Sequence, residues 1–246
     1  VLARCLDSIA DLMDEIIIVD TGSTDNTKEI AAQYTSRIYD FKWTSDFSAA
    51  RNFSFSKATM EYIYTADADE ILDDANRERF LRLKGALLPE IEIVQMKYVT
   101  QGTFDTVLNA KKEYRPKLFR RLRTFTWIDP IHETVRLTPV TFDSDVEILH
   151  CPQSLHSKRD FSIFIKAFEH DGQFSPKIRT MYAKELLKTG DKKDFTDAKP
   201  IFQLIFDNDP ADDARKEAAC VLARIYRMED NKNEFFKLTM KDMLTT

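Results

Sequence analysis

Two rhythms of apolar and polar positions alternate through the first half of the chain. Val1–Ala10 (VLARCLDSIA) sets Leu2, Cys5, Leu6 and Ile9 on one helical face. Ile16–Asp20 (IIIVD) is then a run of β-formers that ends on a carboxylate. After the small polar turn Thr21–Asp25, helical spacing returns over Thr27–Tyr34, with Ile30, Ala31 and Tyr34 as its stripe. Asn26 and Glu29 are spaced as a capping box, and Asp25 adds negative charge at the helix's positive end. A strand near Arg37–Phe41, a helix over Ala49–Ala58 and a strand inside EYIYTADADE (Glu61–Glu70) follow. A charged helix (NRERFLRLKGALL) and β-like runs at Ile91–Val99, Lys117–Arg121 and Asp145–His150 complete the pattern. Strands alternating with helices predict an α/β domain with a mainly parallel sheet.

From Ser157 onward strand signals stop and five segments carry helical spacing. Within Tyr182–Pro210, Gly190 separates two helices, the second holds Ala198 and Phe202, and Pro210 closes it. That fits a tetratricopeptide-like helix pair, with an ordinary helical subdomain as the alternative; the pair after Ala214 is a looser match. The expected division is residues 1–156 for the α/β domain and 157–246 for the helical tail.

Composition narrows the class. Of 246 residues, 43% are hydrophobic and 31% charged, a globular balance rather than a disordered one. No apolar run approaches the roughly 20 residues that cross a bilayer. A net charge of −5 argues against nucleic acid as a partner, despite the local basic cluster Arg115–Arg123. Cys5, Cys151 and Cys220 are odd in number and unpaired in spacing, so they read as free thiols, each a small buried hydrophobe. The compartment expected from this is the cytoplasm, with the inner face of the membrane as an alternative station.

Asp67-Ala68-Asp69 carries the sharpest chemistry. In an extended segment residues i and i+2 face the same side, and two carboxylates there can hold Mg²⁺ or Mn²⁺. A short Asp-x-Asp is weak by itself, because carboxylates at a solvated strand end are common. Neither G-x-G-x-x-G nor a P-loop occurs, so phosphate binding would rest on a metal and on isolated basic groups.

The ordered series IIIVDTGSTDNT, DFSAARN, YTADADE, KLFRR and IHE resembles the family 2 glycosyltransferases of GT-A fold, in the branch that carries helical repeats after the catalytic domain. The resemblance covers about Val1 to Cys151. It implies a GT-A-type nucleotide-sugar-binding domain with a tetratricopeptide-like tail. Asp20 and its loop would lie against base and ribose; many relatives have a second acidic residue next, where this chain has Thr21. Arg51 would lie near the nucleotide and diphosphate, Asp67 near ribose and metal, and Asp69 on the metal, with His150 as a third ligand. Glu133 would be the base that deprotonates the acceptor, with His132 its rival. The family begins with a strand and loop that this chain lacks, so an upstream segment is expected.

These features imply a metal-dependent inverting transferase that uses a nucleoside-diphosphate sugar, UDP-sugar first among donors. Its acceptor would be a glycan, a lipopolysaccharide or a peptide. Oligomeric state is left open, with the helical tail offering a surface for a homodimer. The alternative reading is a non-catalytic scaffold whose helical tail binds a peptide.

Overall fold

Residues 1–100, 112–121, 127–128, 130–131, 134–135, 139–151 and 157–243 are described by the structure, a computed structural model. The chain divides into two compact units, one within Val1–Ser154 and one made mainly of Leu155–Thr246.

The first unit opens with α1 (Leu2–Ile9), which buries Cys5, Leu6 and Ile9. β1 (Ile18–Asp20), α2 (Thr27–Ala31) and β2 (Ile38–Asp40) form a strand–helix–strand unit, and the two strands pair in parallel from Ile18 opposite Ile38 to Asp20 opposite Asp40. The expected capping box does not form: Asn26 caps nothing with its side chain, and Asp25 accepts the Thr27 N–H at 3.1 Å instead. A short Asx turn outcompetes the box because its acceptor lies two residues from the donor.

After α3 (Phe47–Lys57) come β3 (Tyr62–Tyr64), the two-residue β4 (Glu70–Ile71) and α4 (Asp74–Ala86). Asp73 caps α4 by accepting the Asn76 N–H at 2.9 Å. β5 (Ile93–Thr100), β6 (Lys112–Arg120) and β9 (Thr141–His150) are the long strands, and β7 (Trp127–Ile128) with β8 (Thr134–Val135) is a small antiparallel pair.

The main sheet has the order β3-β6-β5-β9-β4. It is mixed, and the expectation of a mainly parallel sheet needs correcting. Among the described residues only β1–β2 and β5–β9 are parallel; β3–β6, β5–β6, β4–β9 and β7–β8 run antiparallel. An antiparallel return needs no helical crossover. Apolar rhythm reports which faces are buried, not which way a neighbour runs.

One irregularity positions the site. Val94 pairs with Leu118 but Gln95 pairs with Pro116, so Lys117 is an extra residue on β6, a bulge. Proline has no N–H for a central ladder and is tolerated where the ladder is already broken. The bulge makes Lys117, Leu118 and Phe119 consecutively buried, where strict alternation would turn one outward.

The core of this unit gathers Cys5, Ile9, Leu12, Leu72, Phe80, Val94, Met96, Tyr98, Leu118, Val146 and Ile148 between the helices and one sheet face. A smaller cluster of Ile93, Phe119 and Trp127, with Phe55 against it, fills the other side. Full burial of a large apolar side chain contributes about 1.5–3 kcal/mol, so these residues dominate the unit's stability.

The helical unit contains α5 (Ser157–Asp171), α6 (Pro176–Thr189), α7 (Lys192–Asn208), α8 (Asp212–Met228) and α9 (Lys232–Met243). Ser175 and Pro176 start α6, and Asp191 with Asp194 forms a true capping box on α7. Tyr182, wholly buried, stacks on Phe164 at 4.7 Å and meets Phe202 at 5.3 Å. Ala198 and Phe202 are buried and Gly190 lies between α6 and α7, as the sequence spacing requires.

Candidate functional site

Asp20 ends β1 with its carboxylate turned back onto its own loop. It accepts the N–H of Gly22 at 3.2 Å and of Ser23 at 3.2 and 3.3 Å, and Lys28 Nζ stands 3.6 Å away. Gly22 holds φ +110°, a conformation open to glycine and costly for a side chain. Burial pushes the Asp20 carboxyl up, but donors from Ser23 and Gly22 and the Lys28 charge outweigh it, and its pKa falls below the ordinary value. Thr21, Gly22 and Ser23 stay exposed, so Asp20 shapes a loop whose surface is left open.

Asp67 and Asp69 are not on an extended strand, and the same-face argument made from their spacing is corrected here. The Glu70 N–H reaches the Asp67 carbonyl at 3.0 Å, closing a turn over Asp67–Glu70. The turn sends the two carboxylates to different partners. Asp69 Oδ2 lies 3.1 Å from His150 Nε2. The pairing of β4 with β9 sets this contact, because Glu70 is opposite His150 and the Cys151 N–H bonds the Asp69 carbonyl at 2.9 Å. The Tyr98 ring packs on the imidazole at 5.0 Å. The hydrogen bond from His150 holds the Asp69 carboxyl below its usual pKa against burial and the Asp67 charge.

Asp67 faces cations. Arg51 Nη2 is 3.5 Å from its Oδ1 and Lys117 Nζ is 3.6 Å from its Oδ2. Desolvation would raise the Asp67 pKa, but Lys117 and Arg51 win and hold it far below the carboxylate range. Arg51 in turn lies over the Trp127 ring at 5.0 Å. Asn52, next on α3, exchanges two hydrogen bonds with the Trp127 backbone, at 2.9 and 3.1 Å, and so fixes α3 to β7.

Arg51 and Asp67 therefore meet, as do Asp69 and His150, while Asp20 contacts its own loop and Lys28. Glu133 and His132 lie outside the described residues. Among the described residues no group of three or more His, Cys, Asp and Glu side chains is arranged to hold a metal ion. Were a hard cation to bind here, Asp69 and His150, 3.1 Å apart, would be the protein groups to hold it. Asp67 fits less well, since both its oxygens already face protein cations.

Sequence reasoning missed Lys117 and Glu70. Lys117 Nζ is 2.5 Å from Glu70 Oε1, and both are buried. The available signal was Pro116 immediately before the β-like run Lys117–Arg121, since a proline within a strand marks an edge or a bulge. Several side chains nearby have structural roles. Trp127 is a core residue against Phe119 and Phe55. Arg120 donates to the Pro89 carbonyl and Arg121 to that of Met60, so both brace loops. Cys5 is buried, its thiol pushed up to about 12 by burial and then by Glu70 and Asp67, whereas Cys220 is exposed and no buried hydrophobe. Helix packing decides which turn of α8 faces outward. Among the described residues no helix is long and apolar enough to cross a membrane.

With this geometry in view, the comparison that decides the family is a match of residues 1–138 to the model of glycosyl transferase family 2. The chain belongs to glycosyl transferase family 2. It is 31% identical over 118 residues to the SPbeta prophage-derived glycosyltransferase SunS of Bacillus subtilis, covering 46% of this chain and 28% of SunS. It is 46% identical over 71 residues to a TPR repeat-containing protein of Synechococcus elongatus, covering 29% of this chain and 18% of that protein. The chain thus matches less than a third of the length of either curated relative. Among solved structures, glucosyl-3-phosphoglycerate synthase from Mycobacterium tuberculosis in complex with phosphoglyceric acid aligns with a TM-score of 0.48 at 15% identity, over 71% of this chain and 76% of that one.

Proposed function

We propose that this protein transfers a sugar, with inversion, from a nucleoside-diphosphate sugar to a glycan, lipopolysaccharide or peptide acceptor, and that the donor is a UDP-sugar. The observation that carries the reading is the pair of charged contacts at one end of the sheet, Arg51 with Asp67 and Asp69 with His150, in a chain of this family. A guanidinium held by an aromatic face and a carboxylate is pre-organised for a diphosphate oxygen. Asp69 and His150 would hold Mg²⁺ or Mn²⁺. Such an ion, when bound, supplies Lewis-acid neutralisation of charge on the departing diphosphate.

The acceptor nucleophile attacks the anomeric carbon in line, the bond to the diphosphate oxygen breaks, and its electron pair leaves with that oxygen. Glu133, with His132 as the rival, takes the acceptor's proton. The loop shaped by Asp20 receives base and ribose, with Thr21 exposed beside them. The domain roles follow: the α/β unit binds donor, and the tetratricopeptide-like helical unit holds acceptor or a second copy of the chain.

Thermal-shift titration with UDP, GDP, CMP and dTDP, each with and without Mn²⁺, tests this, since a ligand of the native state raises the midpoint with occupancy. UDP is expected to stabilise the protein only with Mn²⁺ present, and Asp69→Ala to remove that shift while the midpoint without ligand holds. A protein indifferent to all four nucleotides would sink the reading.

A further inference from the structure

Glu70 and Lys117 form a buried ion pair beneath the Asp67 turn, and nothing in the transferase reading yet uses it. Glu70 spans the turn with both oxygens: Oε2 accepts the Asp67 N–H at 3.1 Å and Oε1 accepts from Lys117 Nζ at 2.5 Å. Lys117 then reaches Asp67 Oδ2 at 3.6 Å, and the other Asp67 oxygen meets Arg51. Charges alternate along this chain, from Glu70 through Lys117 and Asp67 to Arg51, which ends on Trp127. The bulge at Lys117 is what turns the ammonium inward, and bulges recur where a side chain must be re-aimed beside a site. The Lys117 carbonyl also receives the Thr65 N–H at 2.8 Å, so β6 carries the cation and anchors the strand that leads into the turn.

For stability alone this is a poor arrangement. Desolvating two charges offsets most of their attraction, and apolar replacements of similar volume are often neutral or better. What the pair does contact is Asp67, which in turn meets Arg51.

We propose that Glu70 and Lys117 are positioning residues for nucleotide binding, acting through Asp67 on the Arg51 guanidinium. This rests on the transferase reading above. Lys117→Met alone strands a buried carboxylate and risks unfolding, so the informative variant is Glu70→Gln with Lys117→Met. It removes both charges together and keeps an acceptor for the Asp67 N–H. Calorimetric titration of UDP in excess Mn²⁺ is run on the wild type, on this pair variant, on Arg51→Met and on the combination.

The expected result is an unliganded melting midpoint near that of the wild type and a UDP Kd raised tenfold or more, about 1.4 kcal/mol. Combining the pair variant with Arg51→Met should weaken binding by clearly less than the product of the separate effects, because both act on one contact. A pair that serves only the fold would leave UDP affinity unchanged in the folded variant or give independent effects, and either result overturns the proposal. If the wild type binds UDP and Arg51→Met weakens it while the pair variant does not, the transferase reading stands and this inference falls. No UDP binding by the wild type removes both.

Discussion

Replacing Asp20 separates the loop's architecture from its charge. The carboxylate accepts from Gly22 and Ser23 and lies 3.6 Å from Lys28 Nζ. Hydrogen bonds to a charged acceptor contribute about 1.5–3 kcal/mol each, yet both freed N–H groups belong to exposed residues and can turn to water, so the sum is discounted. Asp20→Ala should therefore cost about 1–2 kcal/mol at pH 7, with a midpoint about 2–4 °C lower per kcal/mol for a chain of this size. Asp20→Asn keeps an acceptor and loses the charge.

The sign of the pH effect follows from the depressed pKa. A carboxyl whose folded pKa lies below its unfolded value of 3.8 binds fewer protons in the native state around that pH. Its contribution is present above the unfolded value and is lost as pH falls through the folded one. Denaturant melts of wild type and Asp20→Asn from pH 7 down to pH 2 should show a gap that is constant near neutrality and closes below pH 4. A gap of equal size at pH 2.5 and pH 7 would refute the claim that these donors hold Asp20 ionised.

Two further changes test the helical unit by thermal unfolding followed by circular dichroism. Tyr182 is wholly buried and its hydroxyl has no hydrogen-bond partner among the described residues, so Tyr182→Phe should leave the midpoint unchanged or raise it, by up to about 1 kcal/mol; a clear loss would mean the hydroxyl is satisfied. A Cβ on Gly190 would sit 2.6 Å from the Leu186 carbonyl oxygen and 3.2 Å from Phe195, so Gly190→Ala should destabilise by about 1–3 kcal/mol, and an unshifted midpoint would show that the α6–α7 junction gives way freely.

Local sequence was enough for the main helices and the longer strands and their order, but not for the two-residue strands β4, β7 and β8. The β-formers before Asp20, the 3.6-residue stripe of α1 and the helical spacing after Ser157 each mark an element through the types and spacing of neighbouring residues alone, although of Ile16–Asp20 only Asp20 is fully buried. The ordered motifs singled out Asp20, Arg51, Asp67 and Asp69, and the family resemblance added His150; the structure brings Arg51 to Asp67 and Asp69 to His150. Strand direction, the Asp67 turn and the Glu70–Lys117 pair were not legible in the same way. They arise from contacts between residues far apart in the chain, such as Glu70 opposite His150 and Lys117 bulged out of register against β5. A period-two pattern is the same for either strand direction, and an i, i+2 spacing puts two carboxylates on one side only if the backbone stays extended. Packing decided both, turning Asp67 toward Arg51 and Lys117 and leaving Asp69 with His150.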